Sequence, residues 1–247
     1  MPAVFVHGNP ETPAVWEPLL DELNRPDVVN LQLPGFGTPA PAGFDATKES
    51  YTAWLIEQLE NIGEPVDLVG HDWGGGFALR VACTRPDLLR TWASDIAGVL
   101  HPEYIWHDYA QIWQSSEGEA SFEAQLGAPL EDMVALYLAL GITPNAAASF
   151  ASAASAEMAR CVLALYRSAA QPAMTSWGSD APAAAARPGL VICAANDLFT
   201  GGPVLTMEMA TKLGATYTQL DGLGHWWMLQ DPAKGAVVLR KFWSDNS

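Results

Sequence analysis

Short apolar runs alternate along the chain with longer segments in which apolar residues recur at every third or fourth position. The short runs predict strands that are buried on both faces, and the longer segments predict amphipathic helices. The predicted strands lie at residues 4–6, 28–33, 66–69, 92–97, 190–194 and 217–220. The predicted helices lie at residues 14–23, 47–62, 77–84, 204–213 and 233–243. This alternation predicts an α/β protein with a mainly parallel sheet and helices on both of its faces.

The strand pattern stops between residues 101 and 186, where the sequence is helical and rich in alanine and aromatic residues. The alanine- and serine-rich tract at residues 146–154 is compatible with a flexible linker, but the apolar residues that follow it continue a helical spacing. We therefore predict a core formed by residues 1–100 and 187–247, into which residues 101–186 are inserted as a helical lid.

Length and composition narrow the class of protein. The 247 residues, of which 49% are apolar, suit one domain with an insertion. The 28 acidic and 12 basic side chains give a formal charge of −16, which disfavours binding to nucleic acid phosphates and to anionic membranes. Neither a membrane-spanning run nor a signal peptide is recognisable. We expect a cytoplasmic protein that binds neither nucleic acid nor a membrane.

The cysteines and histidines do not have the spacing of a metal site. The three cysteines lie far apart and lack a CxxC spacing, which predicts buried thiols of a reducing compartment. His101, His107 and Asp108 are close in sequence, but no further ligand cluster accompanies them. We therefore predict no metal and no cofactor.

The segment GHDWGGG, at residues 70–76, follows a predicted strand and opens a predicted helix. A glycine-flanked turn in this context predicts a nucleophile elbow with Asp72 in the strained position, although the same turn alone is compatible with an aspartate that caps the helix. Asp197 follows the fifth strand and His225 follows the sixth. Nucleophile, acid and histidine thus occur in the chain order of α/β-hydrolases, at strand ends that meet at one edge of the sheet. We predict a catalytic triad of these three residues.

The turn HGNP, at residues 7–10, follows the first predicted strand. Its glycine allows the backbone N–H of Asn9 to lie beside that of Trp73, directly after the predicted nucleophile. These two N–H groups are the predicted oxyanion hole. We interpret His7 as a structural hydrogen-bonding residue.

Four segments occur along the chain in the order HGNP, GHDWGGG, NDLF and GLGHWW. Together they resemble α/β-hydrolases of the branch that contains epoxide hydrolases and haloalkane dehalogenases, whose nucleophile is an aspartate. The resemblance covers nearly the entire predicted core and implies the α/β-hydrolase fold.

Members of this branch have two strands before the HG-containing strand, which here begins almost at Met1. We expect about six strands, either as a natural minimum or because the N-terminal pair is missing from this sequence. Some dehalogenases of the branch take their acid from the fourth of these strands, so Asp95 is an alternative to Asp197.

An aspartate nucleophile changes the chemistry that the triad predicts. A carboxylate is ionised at neutral pH and needs no base to activate it. Asp72 is suited to displace a leaving group from an sp3 carbon, which forms an alkyl ester on the enzyme. His225, oriented by Asp197, would then deprotonate the water that attacks this ester. The expected electrophile is therefore an epoxide or an alkyl halide.

The resemblance implies two alternative sites for the leaving group. Epoxide hydrolases of the branch hold the alkoxide with two lid tyrosines, whose segments match Tyr109 and Tyr166, although ordinary packing is an alternative role for both. Dehalogenases hold the halide with a tryptophan and an asparagine that match Trp73 and Asn9. Because an alkoxide needs an acid and a halide does not, we predict an epoxide hydrolase that forms a vicinal diol. The alternatives are a haloalkane dehalogenase and a non-catalytic ligand-binding homologue.

Ten tryptophans indicate an aromatic substrate pocket. We predict that Phe36, Trp177, Leu198 and Trp226 line it. An apolar pocket in a protein of charge −16 favours a small, apolar, uncharged substrate that reacts with water.

Overall fold

The computed structural model describes residues 1–247 and contains a six-stranded sheet in which every neighbouring pair of strands is parallel. The strands are β1 (Ala3–Val6), β2 (Val28–Leu31), β3 (Val66–Gly70), β4 (Leu89–Ser94), β5 (Gly189–Ala194) and β6 (Thr216–Leu220). Their order across the sheet is β2-β1-β3-β4-β5-β6. The order reverses at β1 and β3, so the loops after these strands open beside each other at the carboxyl edge of the sheet.

Helices cover both faces of this sheet. They are α1 (Glu17–Leu23), α2 (Lys48–Ile62), α3 (Trp73–Thr84), α4 (Asp108–Gln114), α5 (Gly118–Leu126), α6 (Leu130–Ala139), α7 (Pro144–Ala153), α8 (Ala156–Ser168), α9 (Ala173–Ser179), α10 (Gly202–Leu213), α11 (Trp227–Gln230) and α12 (Pro232–Asp245). Side chains alternate along each strand, so Val4 and Val6 pack with α2 and α3 on one face. Ala3 and Phe5 pack with α1 and α12 on the other face.

The observed elements follow the predicted α/β pattern with two differences. The fourth strand begins at Leu89 and ends at Ser94, whereas the sequence predicts 92–97. The earlier start includes Arg90 and Thr91, which pair with the buried carboxylate of Asp67 on β3 and so remain in the sheet despite their polarity. Helix α3 begins at Trp73 rather than at residue 77, so its first turn contains the glycine run of the elbow.

Residues between β4 and β5 contain helices α4 to α9 and no strand. The alanine- and serine-rich tract forms the helix α7 (Pro144–Ala153), so it is not a flexible linker. None of the helices combines the length and the apolar character that crossing a membrane requires.

Candidate active site

The turn between β3 and α3 places Asp72 in an unfavourable backbone conformation, with φ at +48° and ψ at −126°. Glycines make this turn possible. A Cβ atom on Gly70 would lie 2.2 Å from the carbonyl oxygen of Gly74, and a Cβ atom on Gly74 would lie 2.2 Å from the carbonyl oxygen of Val6. The start of α3 therefore packs directly on backbone, and Asp72 is held at the carboxyl edge of the sheet.

Replacement of Gly74 by alanine is expected to destabilise the protein by at least about 2 kcal/mol, because the new methyl group would overlap rigid backbone atoms. Gly76→Ala, two residues later in α3, is the matched control. Its Cβ atom would lie 3.3 Å from the end of the flexible Ile96 side chain. Urea unfolding should show a change below about 1 kcal/mol for the control. Equal stability of the two variants would contradict this account of the elbow.

The Asp72 carboxylate lies between the loop that follows β1 and the loop that follows β6. Its Oδ1 accepts a hydrogen bond from the Asn9 backbone N–H at 2.7 Å, and its Oδ2 lies 3.9 Å from His225 Nε2. A Cβ atom on Gly8 would lie 2.2 Å from the same Oδ1, so the approach of this loop to the carboxylate requires a glycine. Trp73 begins α3, where its N–H lies in the first turn and has no partner within the helix.

His225 and Asp197 meet in the loops that follow β6 and β5. The Nδ1–H of His225 donates to Asp197 Oδ2 at 2.8 Å, and Asp197 Oδ1 accepts from the Phe199 backbone N–H at 2.7 Å. Although burial opposes it, the charge of His225 lowers the pKa of Asp197. Burial also opposes ionisation of His225, but the charge of Asp197 raises the pKa of His225 above its ordinary value. The structure therefore places Asp197, and not Asp95, against the ring of His225.

Burial raises the pKa of Asp72 to about 6, although the neighbouring charges of His225 and His71 lower it. The carboxylate is thus harder to ionise than an exposed aspartate. It remains largely ionised at neutral pH.

Asp95 contacts the elbow instead of His225. Its Oδ1 accepts from the backbone N–H of Asp72 at 3.0 Å. Its Oδ2 accepts from His71 Nδ1 at 2.5 Å and from Trp227 Nε1 at 2.7 Å. His71 Nε2 lies 2.9 Å from Glu11 Oε1, in an ion-pair contact that is not aligned as a hydrogen bond.

Glu11 is buried and accepts hydrogen bonds from the Gly8 backbone N–H at 2.9 Å and from Trp226 Nε1 at 2.7 Å. Neither Glu11 nor His71 was expected in the site. The available signal is a charged residue directly after the HGNP turn and shortly before the apolar turn PAVW at Pro13–Trp16. His71 lies within the elbow motif itself.

Glu11, His71 and His225 are the residues that could hold a metal ion, because their potential ligand atoms all lie within 4.8 Å of one another. The nitrogens of His71 already face two carboxylates, so an ion-pair network also accounts for this cluster. His101 pairs with Glu208 instead.

The two lid tyrosines have different positions. Tyr166 on α8 is only 3% exposed, and its ring lies edge-on to Trp73 with the centroids 5.3 Å apart. Burial and the charge of Asp72 raise the pKa of Tyr166 well above its usual value, while the neighbouring polar side chains of Trp73 and Asn9 act to lower it. Tyr109 is 60% exposed and stacks on Trp113, so the structure does not bring it to Asp72. The expectation for Tyr109 is corrected on this point, because that side chain points to solvent.

Of the four predicted pocket residues, Trp226 packs its ring against a predicted triad side chain, 5.0 Å from the ring of His225. Phe36 is buried in the core and packs against His7. Trp177 packs under the cationic side chains of Lys48 and Arg80, and Leu198 is 86% exposed. The predictions for Trp177 and Leu198 are corrected accordingly.

Other aromatic residues surround the elbow instead. Trp106 stacks on Trp73 with the centroids 6.0 Å apart, and Phe199 lies 5.0 Å from His225. A narrow cavity of about 30 Å³ between the HGNP loop and helices α4, α5 and α8 reaches Asn9. His7, as expected, is a structural residue, because its Nε2 accepts from the Leu33 backbone N–H at 3.0 Å. Burial lowers the pKa of His7 to about 4, so its ring is neutral.

The fold and the site are typical of α/β-hydrolases, and sequence comparison supports this class. The profile of the alpha/beta hydrolase family matches residues 3–237, and the chain belongs to this family.

Several characterised proteins are similar to this chain. An (E)-2-((N-methylformamido)methylene)succinate hydrolase of Acinetobacter baylyi is 33% identical over 95 residues, which are 37% of this chain and 36% of the relative. Epoxide hydrolase 4 of Mus musculus is 32% identical over 121 residues, 46% of this chain and 33% of the relative. A haloalkane dehalogenase of Agrobacterium fabrum is 28% identical over 127 residues, 48% of this chain and 41% of the relative. The matches thus span well under half of each relative's length.

A solved structure of a putative epoxide hydrolase from Pseudomonas aeruginosa superposes with a TM-score of 0.80 at 20% identity. The superposition covers 99% of this chain and 89% of that one. At this identity, the likeness shows a shared fold.

Proposed function

We propose that the protein is a hydrolase that attacks a saturated carbon with the carboxylate of Asp72. The observation that carries this proposal is the position of that carboxylate, which lies between the Asn9 N–H and the Nε2 of an Asp197-bound His225. A carboxylate oxygen attacks the carbon, the bond to the leaving group breaks, and the leaving group departs with the bonding electrons. Asp72 then holds the substrate as an alkyl ester.

The second step is hydrolysis of this ester. His225 Nε2 takes a proton from water, and the oxygen of the water attacks the carbonyl carbon of Asp72. The negative charge that develops on the carbonyl oxygen is stabilised by the N–H of Asn9, together with that of Trp73. Collapse of the intermediate breaks the ester bond, and the departing oxygen takes the proton back from His225 to give an alcohol. The Asp72 carboxyl then loses its own proton and is a carboxylate again. Asp197 holds the His225 ring in the required tautomer and stabilises its cation.

Residues 101–186 act in this proposal as a lid over a core of residues 1–100 and 187–247. The position of Tyr166, which extends from α8 of the lid to Trp73 of the elbow, supports it. The aromatic surroundings of Asp72 favour a small, apolar, uncharged substrate.

An epoxide is the favoured substrate class, and a vicinal diol is its product. The oxygen of an opening epoxide becomes strongly basic and needs a proton donor. The Tyr166 hydroxyl supports this function, because it is buried near Asp72 and remains protonated at neutral pH. The name of the mouse relative, epoxide hydrolase 4, agrees with it.

Haloalkane dehalogenation is the second candidate. The side chains of Asn9 and Trp73 both approach the Tyr166 hydroxyl, and their N–H groups could hold a halide there instead. The Agrobacterium relative carries the name of that activity.

Substitution of Tyr166 by phenylalanine separates the two candidates. For an epoxide, we expect the rate of ring opening to fall by about 10²–10⁴-fold, because the alkoxide loses its proton donor. Tyr109→Phe is the matched control and should keep the full rate, since that hydroxyl faces solvent. The measurement is a panel of epoxides and haloalkanes, scored for diol and for halide. Halide release that survives Tyr166→Phe, without diol from any epoxide, would favour the dehalogenase.

A further inference from the structure

Trp226 directly follows His225 in the chain and packs against it. Its ring is only 7% exposed and lies edge-on to the ring of His225, with the centroids 5.0 Å apart. Its Nε1–H donates to Glu11 Oε1 at 2.7 Å. Because an indole is rigid and has a single N–H, this hydrogen bond fixes the orientation of the whole ring. The position of His225 is therefore tied to that of Glu11.

Glu11 lies in the loop that follows β1, which also carries Asn9. Its Oε2 accepts from the Gly8 backbone N–H at 2.9 Å, and its own backbone N–H donates to the Gly8 carbonyl oxygen at 3.2 Å. Both bonds close the HGNP turn, and Glu11 is fully buried, so its carboxylate is a fixed acceptor. The hydrogen bonds from Trp226 to Glu11 and from Gly8 to Glu11, which we call the Trp226–Glu11 bridge, join the loop of the proposed base to the loop of Asn9.

The hydrogen bond with Asp197 does not by itself fix the ring of His225. It holds the Nδ1 nitrogen at 2.8 Å, and the ring can still rotate about that contact. Such a rotation moves the other nitrogen, Nε2, relative to Asp72. The rings of Trp226 and Phe199 each lie 5.0 Å from that of His225 and limit the rotation. The Trp226 ring can do so because its own N–H is anchored on Glu11.

We propose that the Trp226–Glu11 bridge holds His225 Nε2 and the Asn9 N–H in the relative position that hydrolysis of the alkyl ester requires. This inference rests on the proposed roles of Asp72, His225 and Asn9. Trp226 and Glu11 are positioning residues in this proposal, because they act through His225 and Asn9.

The two steps of the proposed mechanism depend on the bridge to different degrees. In the first step, the Asp72 carboxylate attacks without the base. In the second step, His225 Nε2 takes a proton from water while the Asn9 N–H stabilises the charge on the carbonyl oxygen. Two groups from different loops must then be correctly placed at the same time, and a misplacement of about 1 Å can lower a rate by about 10²-fold. Loss of the bridge therefore slows the second step more than the first.

The first test measures both rate constants in Trp226→Phe, which removes the N–H and keeps an aromatic ring. The substrate is an epoxide or haloalkane that alkylates Asp72 in the unmodified protein. Rapid quenching followed by mass spectrometry gives the rate of alkylation and the rate at which the adduct is hydrolysed. We expect hydrolysis to slow by about 10–10²-fold and alkylation by less than about threefold, so that the adduct accumulates. Equal losses in both steps, or no loss, would overturn the proposal.

Trp243→Phe is the matched control for the smaller ring. Trp243 is also 7% exposed, but its Nε1 has no hydrogen-bond partner, and its ring lies under Arg25. Both rate constants should stay unchanged in this variant, and accumulation of the adduct would overturn the proposal. Trp226→Phe is expected to fold, because the same loop keeps a second attachment, the hydrogen bond from Trp227 Nε1 to Asp95 Oδ2 at 2.7 Å.

The second test removes the bridge from its other end. In Glu11→Gln, a single amide oxygen cannot accept from both the Gly8 N–H and the Trp226 Nε1–H. Glu11→Gln also removes a charge, so its effect is compared with that of Trp226→Phe in a double-mutant cycle on the hydrolysis rate. We expect the double variant to hydrolyse the adduct at least about tenfold faster than the product of the two single losses predicts. Additive losses would mean that the two residues act independently, and the proposal would be wrong.

Crystal structures of the unmodified protein and of Trp226→Phe provide a readout that needs no substrate. We expect the distance between His225 Nε2 and Asp72 Oδ2 to change by at least about 0.5 Å in the variant, which is the precision that a catalytic site needs. An unmoved ring, in a protein that forms and hydrolyses the adduct on Asp72, would reject this inference alone. A displaced ring, in a protein whose Asp72 no epoxide or haloalkane alkylates, would reject the proposed function alone.

Discussion

Replacement of His225 by glutamine is expected to abolish turnover and to leave the protein alkylated on Asp72. The first step does not need His225, because a carboxylate has no proton that a base must remove. The second step needs a base for water, and glutamine cannot act as one. We expect steady-state turnover to fall by roughly 10³-fold or more, while one equivalent of substrate remains bound. Intact-protein mass spectrometry, followed by peptide mapping, measures the adduct and its position.

The control for this experiment is the double variant Asp72→Asn with His225→Gln, which should form no adduct. The substrate must first be shown to react with the unmodified protein. If that substrate leaves His225→Gln unalkylated, or alkylates a residue other than Asp72, the covalent mechanism is wrong. If the nucleophile depended on His225 for activation, the His225→Gln variant would remain unalkylated.

The separation of 3.9 Å between His225 Nε2 and Asp72 Oδ2 agrees with a mechanism in which His225 acts on water and not on Asp72. A serine nucleophile would need a hydrogen bond of about 2.6–3.2 Å to its base before it could attack. Asp72 has no such requirement. Asp197 holds the ring of His225. In the proposed mechanism, its Nε2 would face the water that attacks the ester.

Much of the fold could be predicted from the sequence, because strands buried on both faces form apolar runs between helical segments. The prediction failed for the start of β4, where Arg90 and Thr91 interrupt the apolar run. Their partner is Asp67, which lies more than twenty residues earlier in the chain and was not recognisable as buried. Local patterns do not report such long-range pairing.

The proximity of Asp72, Asp197 and His225 could also be predicted, because parallel strands bring their carboxyl ends to one edge. The network of Glu11, His71 and Asp95 could not. It joins loops from three strands, and its members contact one another only when the turns have their final shape. The position of Tyr109 depends on which side of α4 faces the site, and a helix of 7 residues is too short for its pattern to specify this.

Removal of the Asp95 carboxylate is expected to be among the most destabilising single changes in the protein. Asp95 accepts from the backbone N–H of Asp72, from His71 and from the indole of Trp227. Asp95→Ala would leave these donors buried without an acceptor, and it would remove one of the two carboxylates that face His71. The expected cost is about 3–5 kcal/mol, typical of removing one partner from a buried ion pair.

Asp87→Ala is the matched control, because Asp87 pairs with Arg85 at the surface. We expect it to leave the free energy of unfolding nearly unchanged, since exposed ion pairs contribute little. Urea unfolding of both variants, with the slope compared to detect a change in the unfolded state, measures the difference. A loss below about 1 kcal/mol for Asp95→Ala would mean that the elbow keeps its strained conformation without this carboxylate. In that event the close packing around Gly70 and Gly74 alone would fix the position of Asp72.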